Sequence, residues 1–318
     1  MIGVCIVTYN QEQYIAQAIE SVLMQELCGH EVVIYVGEDN STDNTGAICD
    51  EYSQRVSELG NERISVKVIH NKKNLGLVGN TMNLLDIMRK DGCEYIAMLD
   101  GDDYWSDPKK LQKQMAYFEA HQEYGLIHTC IDLLYPDGLR KDKRTSMPEG
   151  DVFHLIGNYP IGNCSVVFKT ELLDMIDFDE FQQQGLQSCD YVMYGIFASK
   201  AQFGFMPDHT AVWRRGIESV SGTADMEKQI RYIQNDLAHW RYLAKLFPDR
   251  WHCSEQEATD YLHMASFNIA CRFGNRKRAL EEVKLMSKED RKNLWLKILC
   301  VRTWITFQLF RWFKRIKR

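Results

Sequence analysis

Residues 95–99 form an apolar run that ends abruptly in Asp100-Gly101-Asp102-Asp103. Carboxylates gathered around a glycine repel one another and lose hydration wherever the turn is buried. Such a cluster suits a hard divalent cation. Mg²⁺ or Mn²⁺ accepts one or two carboxylates and completes its shell with water and substrate phosphate oxygens. Taken by itself, the segment also reads as a solvated acidic turn. Two more loops carry polar groups at the end of an apolar run. Thr8-Tyr9-Asn10 follows residues 2–7, and Glu38-Asp39-Asn40-Ser41-Thr42-Asp43 follows residues 32–36. An acid at a strand end can accept hydrogen bonds from a base N–H or a ribose hydroxyl. Ser41, Thr42 and Asp43 are also good helix caps.

These loops need a frame. Short β-branched runs at 2–7, 32–36, 64–69, 95–99 and 126–131 alternate with helical patterns. Tyr14, Ile15, Ala18, Ile19, Val22 and Leu23 recur at helical spacing, with Asn10 and Gln13 as a candidate helix start. Further helices are expected at about 77–90, and at 107–121 behind Asp107-Pro108, an acid cap followed by proline. Alternating strands and helices imply a mainly parallel α/β sheet, which binds ligands at the carboxyl ends of its strands. The three polar loops all fall there. Pro136-Asp137-Gly138 reads as a tight turn, and 166–168 and 211–213 as strands. From about 225 the pattern turns helical, near 225–247, 254–273 and 275–287, broken by Pro248 and Gly274. The expected domains are 1–220 and a helical region, 221–318.

Five segments in order carry a specific resemblance: Cys5-Ile6-Val7-Thr8-Tyr9-Asn10, residues 19–25, residues 38–45, Asn74-Leu75-Gly76, and Asp100-Gly101-Asp102-Asp103. Order and spacing resemble the inverting family 2 glycosyltransferases of the GT-A fold, of the kind that build bacterial polysaccharides, over roughly residues 1–215. The resemblance implies a nucleotide-sugar donor, UDP-sugars favoured, and a saccharide or lipid-linked saccharide acceptor. It places Thr8, Tyr9 and Asn10 at the nucleotide, Asp39 at the base, and Asn74 in the donor-binding set. Asp100 and Asp102 match the D-x-D motif, with Asp102 on a Mn²⁺ or Mg²⁺ ion and Asp100 at the ribose or a water around the metal. Asp103 matches an extra acid near the sugars.

Ser188-Cys189-Asp190-Tyr191 resembles the segment that holds the family's catalytic base, so Asp190 is expected to take the acceptor proton. Asp177, Asp179 and Glu180 are rivals. Gly162-Asn163-Cys164-Ser165-Val166-Val167-Phe168 resembles the strand lining the acceptor site. Two features depart from the family pattern. No arginine lies in 77–83, and Gly216 stands where a histidine is usual after Trp213-Arg214-Arg215, with His209 nearby. Arg214 or Arg215 is the expected partner of the diphosphate, since a guanidinium matches phosphate geometry. A sugar-nucleotide nucleotidyltransferase would carry a glycine-rich, basic phosphate loop after the first strand, and residues 8–13 contain neither glycine nor a basic residue. A non-catalytic nucleotide-sugar-binding module is the other alternative.

Composition narrows the partners. Residues 291–318 hold nine Lys or Arg and no acid, so the other 290 residues carry −15 within a chain of net charge −6. An acidic body argues against a nucleic-acid groove. In the tail, Leu294, Ile298, Val301, Ile305, Leu309, Trp312 and Ile316 make one helical stripe among basic residues and tryptophans, a pattern suited to lying on an anionic membrane surface. Ten scattered cysteines without a C-x-x-C pair read as reduced thiols. The N-terminal apolar stretch, short and without basic residues before it, reads as a strand. Together these give a cytoplasmic protein, peripheral on the inner face of the cell membrane.

Overall fold

The computed structural model describes residues 1–27, 29–153, 161–186, 188–215, 225–250 and 254–294. Contacts divide the chain into two compact units, Met1–Arg215 and Gly216–Arg318.

In the first unit, β1 (Ile2–Thr8) is buried at all seven positions. A strand with no polar face has to be covered on both sides, the signature of a central strand in a helix-flanked sheet. It lies parallel to β2 (Val32–Glu38) on one side and β4 (Tyr95–Asp100) on the other, and β3 (Ile64–His70) extends the sheet beyond β2. Crossovers α1 (Ile15–Leu23), α2 (Thr45–Glu58) and α3 (Gly76–Lys90) connect these strands. Ile15, Ile19 and Val22 of α1, and Tyr52 and Val56 of α2, join Val4, Ile6, Ile34 and Leu99 in one apolar core. That core also takes Leu111, Met115 and Phe118 of α4 (Lys110–Ala120).

Past β4 the sheet changes character. Its order is β3-β2-β1-β4-β8-β6-β9-β5, with β5 (Tyr104–Trp105), β6 (Tyr124–Tyr135), β8 (Val167–Lys169) and β9 (Gln202–Arg214), while β7 (Gly138–Arg140) pairs with β6. Strand β8 is antiparallel to both β4 and β6, so β6 and its parallel partner β9 run in the same direction as β1 to β4. The predicted turn at Pro136-Asp137-Gly138 closes the β6–β7 hairpin. Strand β9 is thirteen residues long where hydropathy marks only 211–213. Its polar stretch Pro207-Asp208-His209 hides it, and the irregular register against Thr129, Cys130 and Ile131 accommodates it. Helices α5 (Phe178–Gln183) and α6 (Asp190–Ala198) complete the unit.

Three expected helix starts are corrected. Asn10 does not cap α1, whose N-cap is Tyr14. Asn10 is left-handed at φ 52°, and its Oδ1 accepts from the Thr42 amide at 2.8 Å while its own N–H donates to Ser41 Oγ at 3.0 Å. The side chain ties two loops together instead of starting a helix. The N-cap of α2 is Asn44; Asp43, just before it, accepts from the Thr45 and Glu12 amides. Asp107 organises the turn ahead of α4, accepting from the Lys109 amide at 2.9 Å.

The second unit contains α7 (Met226–Leu246), α8 (Glu255–Phe273), α9 (Arg276–Leu285) and α10 (Lys288–Asn293). A reciprocal Ser254/Glu257 capping box starts α8, and Gly274, left-handed at φ 74°, ends it. Phe267, Ala270, Ala279, Val283 and Met286 form its small core. The expected membrane-surface stripe from Ile298 onward lies outside the described residues. Among those described, no helix is long and apolar enough to cross a membrane, and seven of the cysteines are buried free thiols.

Candidate active site

The carboxyl ends of β1, β2 and β4 are stitched together by backbone bonds that outlast the strands. The Gly101 N–H donates to Val7 O at 3.0 Å, the Asp39 N–H to Thr8 O at 3.1 Å, and the Asn71 N–H to Glu38 O at 2.9 Å. The aspartate turn therefore lies directly on the Thr8 loop. A Cβ placed on Gly101 would come within 2.4 Å of Gln11 Oε1 and 2.9 Å of Thr8 Cβ and Oγ1. Thr8 is 3% exposed and its hydroxyl donates to Gln11 Oε1 at 2.8 Å. Tyr9 points outward at 45% exposure. Gly101→Ala forces this contact apart at a cost of roughly 1–3 kcal/mol; we expect a lower unfolding midpoint by thermal denaturation, and an unchanged midpoint would show that the turn yields freely.

Asp100 sits at the tip of β4, where the short 3₁₀ turn Asn163–Ser165 comes alongside. The Asn163 amide donates to both Asp100 oxygens at 3.1 Å. Burial and then the Asp102 charge push the Asp100 carboxyl up to about 7, with Asp190 adding to the rise and the Asn163 bond opposing it. Burial also raises Asp102, against the pull of Arg214 and Gln11. Two neighbouring half-buried carboxylates whose charged forms disfavour each other form a donor set suited to positive charge. Among the described residues no three His, Cys, Asp or Glu converge as a metal cage. The pair fits a hard cation whose remaining positions are filled by water and phosphate.

Asp103 is 2% exposed, and its Oδ1 accepts from the Arg214 N–H at 2.9 Å, which ties β9 to the aspartate turn. The Arg214 guanidinium donates to Asp102 O and to Gln17 Oε1, and lies 5.0 Å and 4.8 Å from the ring centres of Tyr14 and Tyr104. It clamps the aspartate turn from behind. Arg215 stacks on Trp213 at 4.2 Å.

Asp39, 2% exposed, accepts from Asn71 Nδ2 and the Leu75 N–H through Oδ1, and from the Gly76 N–H through Oδ2. Asn74 Oδ1 takes the same Gly76 N–H. The acid thus shapes the Asn74-Leu75-Gly76 loop, with Gly76 left-handed at φ 73°. Asp190 is the first residue of α6, half-buried, and its charge reaches Asp100. Of its rivals, Asp177 caps α5 by accepting from the Glu180 N–H. His209, exposed on β9, pairs through Nδ1 with the buried Asp132 at 2.6 Å.

Sequence reasoning did not single out Lys110, which is fully buried beneath this floor. Its ammonium lies 4.3 Å from the Trp105 ring centre and donates to Gln114 Oε1 at 2.7 Å, and burial pulls it down to about 7. Trp105 in turn donates from Nε1 to Cys164 O at 2.9 Å, holding the turn that presents Asn163.

The profile of the family described as Glycosyl transferase family 2 matches residues 3–167. The chain belongs to that family. As a family 2 glycosyltransferase it is 26% identical over 226 residues to an uncharacterised protein of Mycobacterium tuberculosis, covering 70% of this chain and 61% of that one. It therefore spans about three fifths of that relative's length. It is 30% identical over 172 residues to Bacillus subtilis TuaG, named for teichuronic acid biosynthesis, covering 54% of this chain and 63% of that one. Its fold matches the mannosyltransferase PcManGT of Pyrobaculum calidifontis, solved with GDP-Man and Mn²⁺, with a TM-score of 0.56 at 16% identity over 98% of this chain and 82% of that one. The fold is GT-A, a mixed, mostly parallel sheet with flanking helices.

Proposed function

We propose that this family 2 glycosyltransferase moves a sugar from a nucleoside-diphosphate sugar to an acceptor hydroxyl, with inversion at the anomeric carbon. The observation that supports the reading is that Thr8 and Asp100 end β1 and β4, the Asp102 turn lies against Thr8, and the Asp190 charge reaches Asp100. The fold match to a protein bound to GDP-Man and Mn²⁺ supports the donor class. Similarity to TuaG, named for teichuronic acid biosynthesis, supports a role in polysaccharide synthesis.

In this reading the nucleotide lies over Thr8, Tyr9 and the loop ordered by Asp39. Asp102 and Asp100 would hold a divalent cation, which would supply Lewis-acid charge for the departing diphosphate. Asp190 accepts the proton of the acceptor hydroxyl while that oxygen attacks the anomeric carbon from the face opposite the leaving group. The bond from that carbon to the diphosphate oxygen breaks, and the nucleoside diphosphate leaves. General-base help of this kind contributes roughly 10²–10⁴-fold.

The direct test is a thermal-shift and transfer screen of UDP- and GDP-sugars with Mn²⁺ or Mg²⁺. One nucleotide is expected to raise the unfolding midpoint by several degrees, only with the cation, and to be consumed. Stabilisation without turnover would make the protein a binding module. No cation-dependent stabilisation by any nucleotide would sink the reading.

A further inference from the structure

Asp190 and Tyr194 are four residues apart on α6 and so share one face of the helix. Tyr194 is 2% exposed, and its hydroxyl donates to Asn163 Oδ1 at 2.6 Å. An amide whose oxygen is already taken cannot flip without losing that bond. Its Nδ2 is therefore aimed outward, and it meets both oxygens of Asp100 at 3.1 Å each. The Asn163 backbone is held as well, because Ser165 Oγ donates to Gly162 O at 2.7 Å and Trp105 Nε1 to Cys164 O. Resting on the reading of Asp100 and Asp102 as cation holders, we infer that Tyr194 and Asn163 are positioning residues that fix the Asp100 carboxylate for the divalent cation, and that α6 thereby ties the proton-accepting Asp190 to the metal-holding strand tip.

The chemistry favours this over simple packing. The Asn163 contact leaves lone pairs of both Asp100 oxygens free while fixing the plane of the group. Partners of this kind set the orientation of a ligating carboxylate, and their loss weakens metal binding by roughly 10–100-fold. Core packing alone would need no hydroxyl on the Tyr194 ring, since Phe168 already lies 5.1 Å from Phe197 in the same layer.

Tyr194→Phe keeps the ring and removes only the donor. We expect the Mn²⁺ dissociation constant, read directly by electron paramagnetic resonance of free Mn²⁺ with a nucleoside diphosphate present, to rise about tenfold or more. Transfer activity should fall at limiting Mn²⁺ and recover at saturating Mn²⁺, with the donor KM at saturation unchanged. Asn163→Ala should show the same pattern, and it serves as the test if the first variant does not fold. Wild-type protein that binds no Mn²⁺ with the nucleotide would overturn the reading of Asp100 and Asp102 themselves. Wild-type binding with unaltered Mn²⁺ affinity in both folded variants would overturn the relay alone, as would activity losses that saturating Mn²⁺ does not restore.

Discussion

Asp102→Ala is expected to abolish sugar transfer, lowering turnover on the order of a thousandfold, the upper end of what one electrostatic stabilising group contributes. The protein should stay folded. The Asp102 side chain meets Gln11 of the neighbouring loop, while Arg214 grips the Asp102 carbonyl, and a backbone carbonyl survives the substitution. Removing one carboxylate also relieves Asp100, whose proton affinity is raised first by burial and then by the Asp102 charge. In the absence of cation the unfolding midpoint should hold or rise. The measurement pairs a Mn²⁺-titrated transfer assay with thermal denaturation. Substantial activity in the variant at any Mn²⁺ concentration would remove Asp102 from the cation site and the cation from the chemistry.

Asp190→Asn is expected to cut turnover by roughly a hundredfold or more while donor KM stays within about twofold. The amide matches the carboxylate in shape and still suits the start of α6, but it cannot take a proton. The same substitution removes a negative charge that bears on Asp100 and Tyr194, so cation affinity should hold or weaken slightly. Steady-state kinetics over a range of donor and acceptor concentrations checks this. Unchanged turnover would dismiss Asp190, and a loss confined to donor KM would reassign it to donor binding.

The two substitutions separate functions that lie on different elements. Asp102 belongs to the loop after β4, and Asp190 starts a helix beyond the reversed strand β8. The approach of Asp190 to Asp100 depends on the change of direction at β8, which the sequence barely signals because only Val167, Phe168 and Lys169 pair there.

The amino-acid sequence by itself established the first half of the fold and put its polar loops at the carboxyl ends of the strands. Its apolar β-branched runs mark the strands, its helices have regular apolar spacing, and polar residues gather where strands end. These are local signals, readable within a dozen residues, and Thr8, Asp39, Asp100 and Asp102 all lie where they predicted. The tertiary structure decided what each polar group does once the strands are side by side. Asn10 bridges loops, Asp103 and Arg214 brace the turn from below, and Tyr194 reaches Asp100 through Asn163. Those partners are 31, 63, 111 and 112 residues apart along the chain. A carboxylate's charge, orientation and exposure are set by whatever the fold brings within a few ångströms, and no periodicity along the chain encodes that.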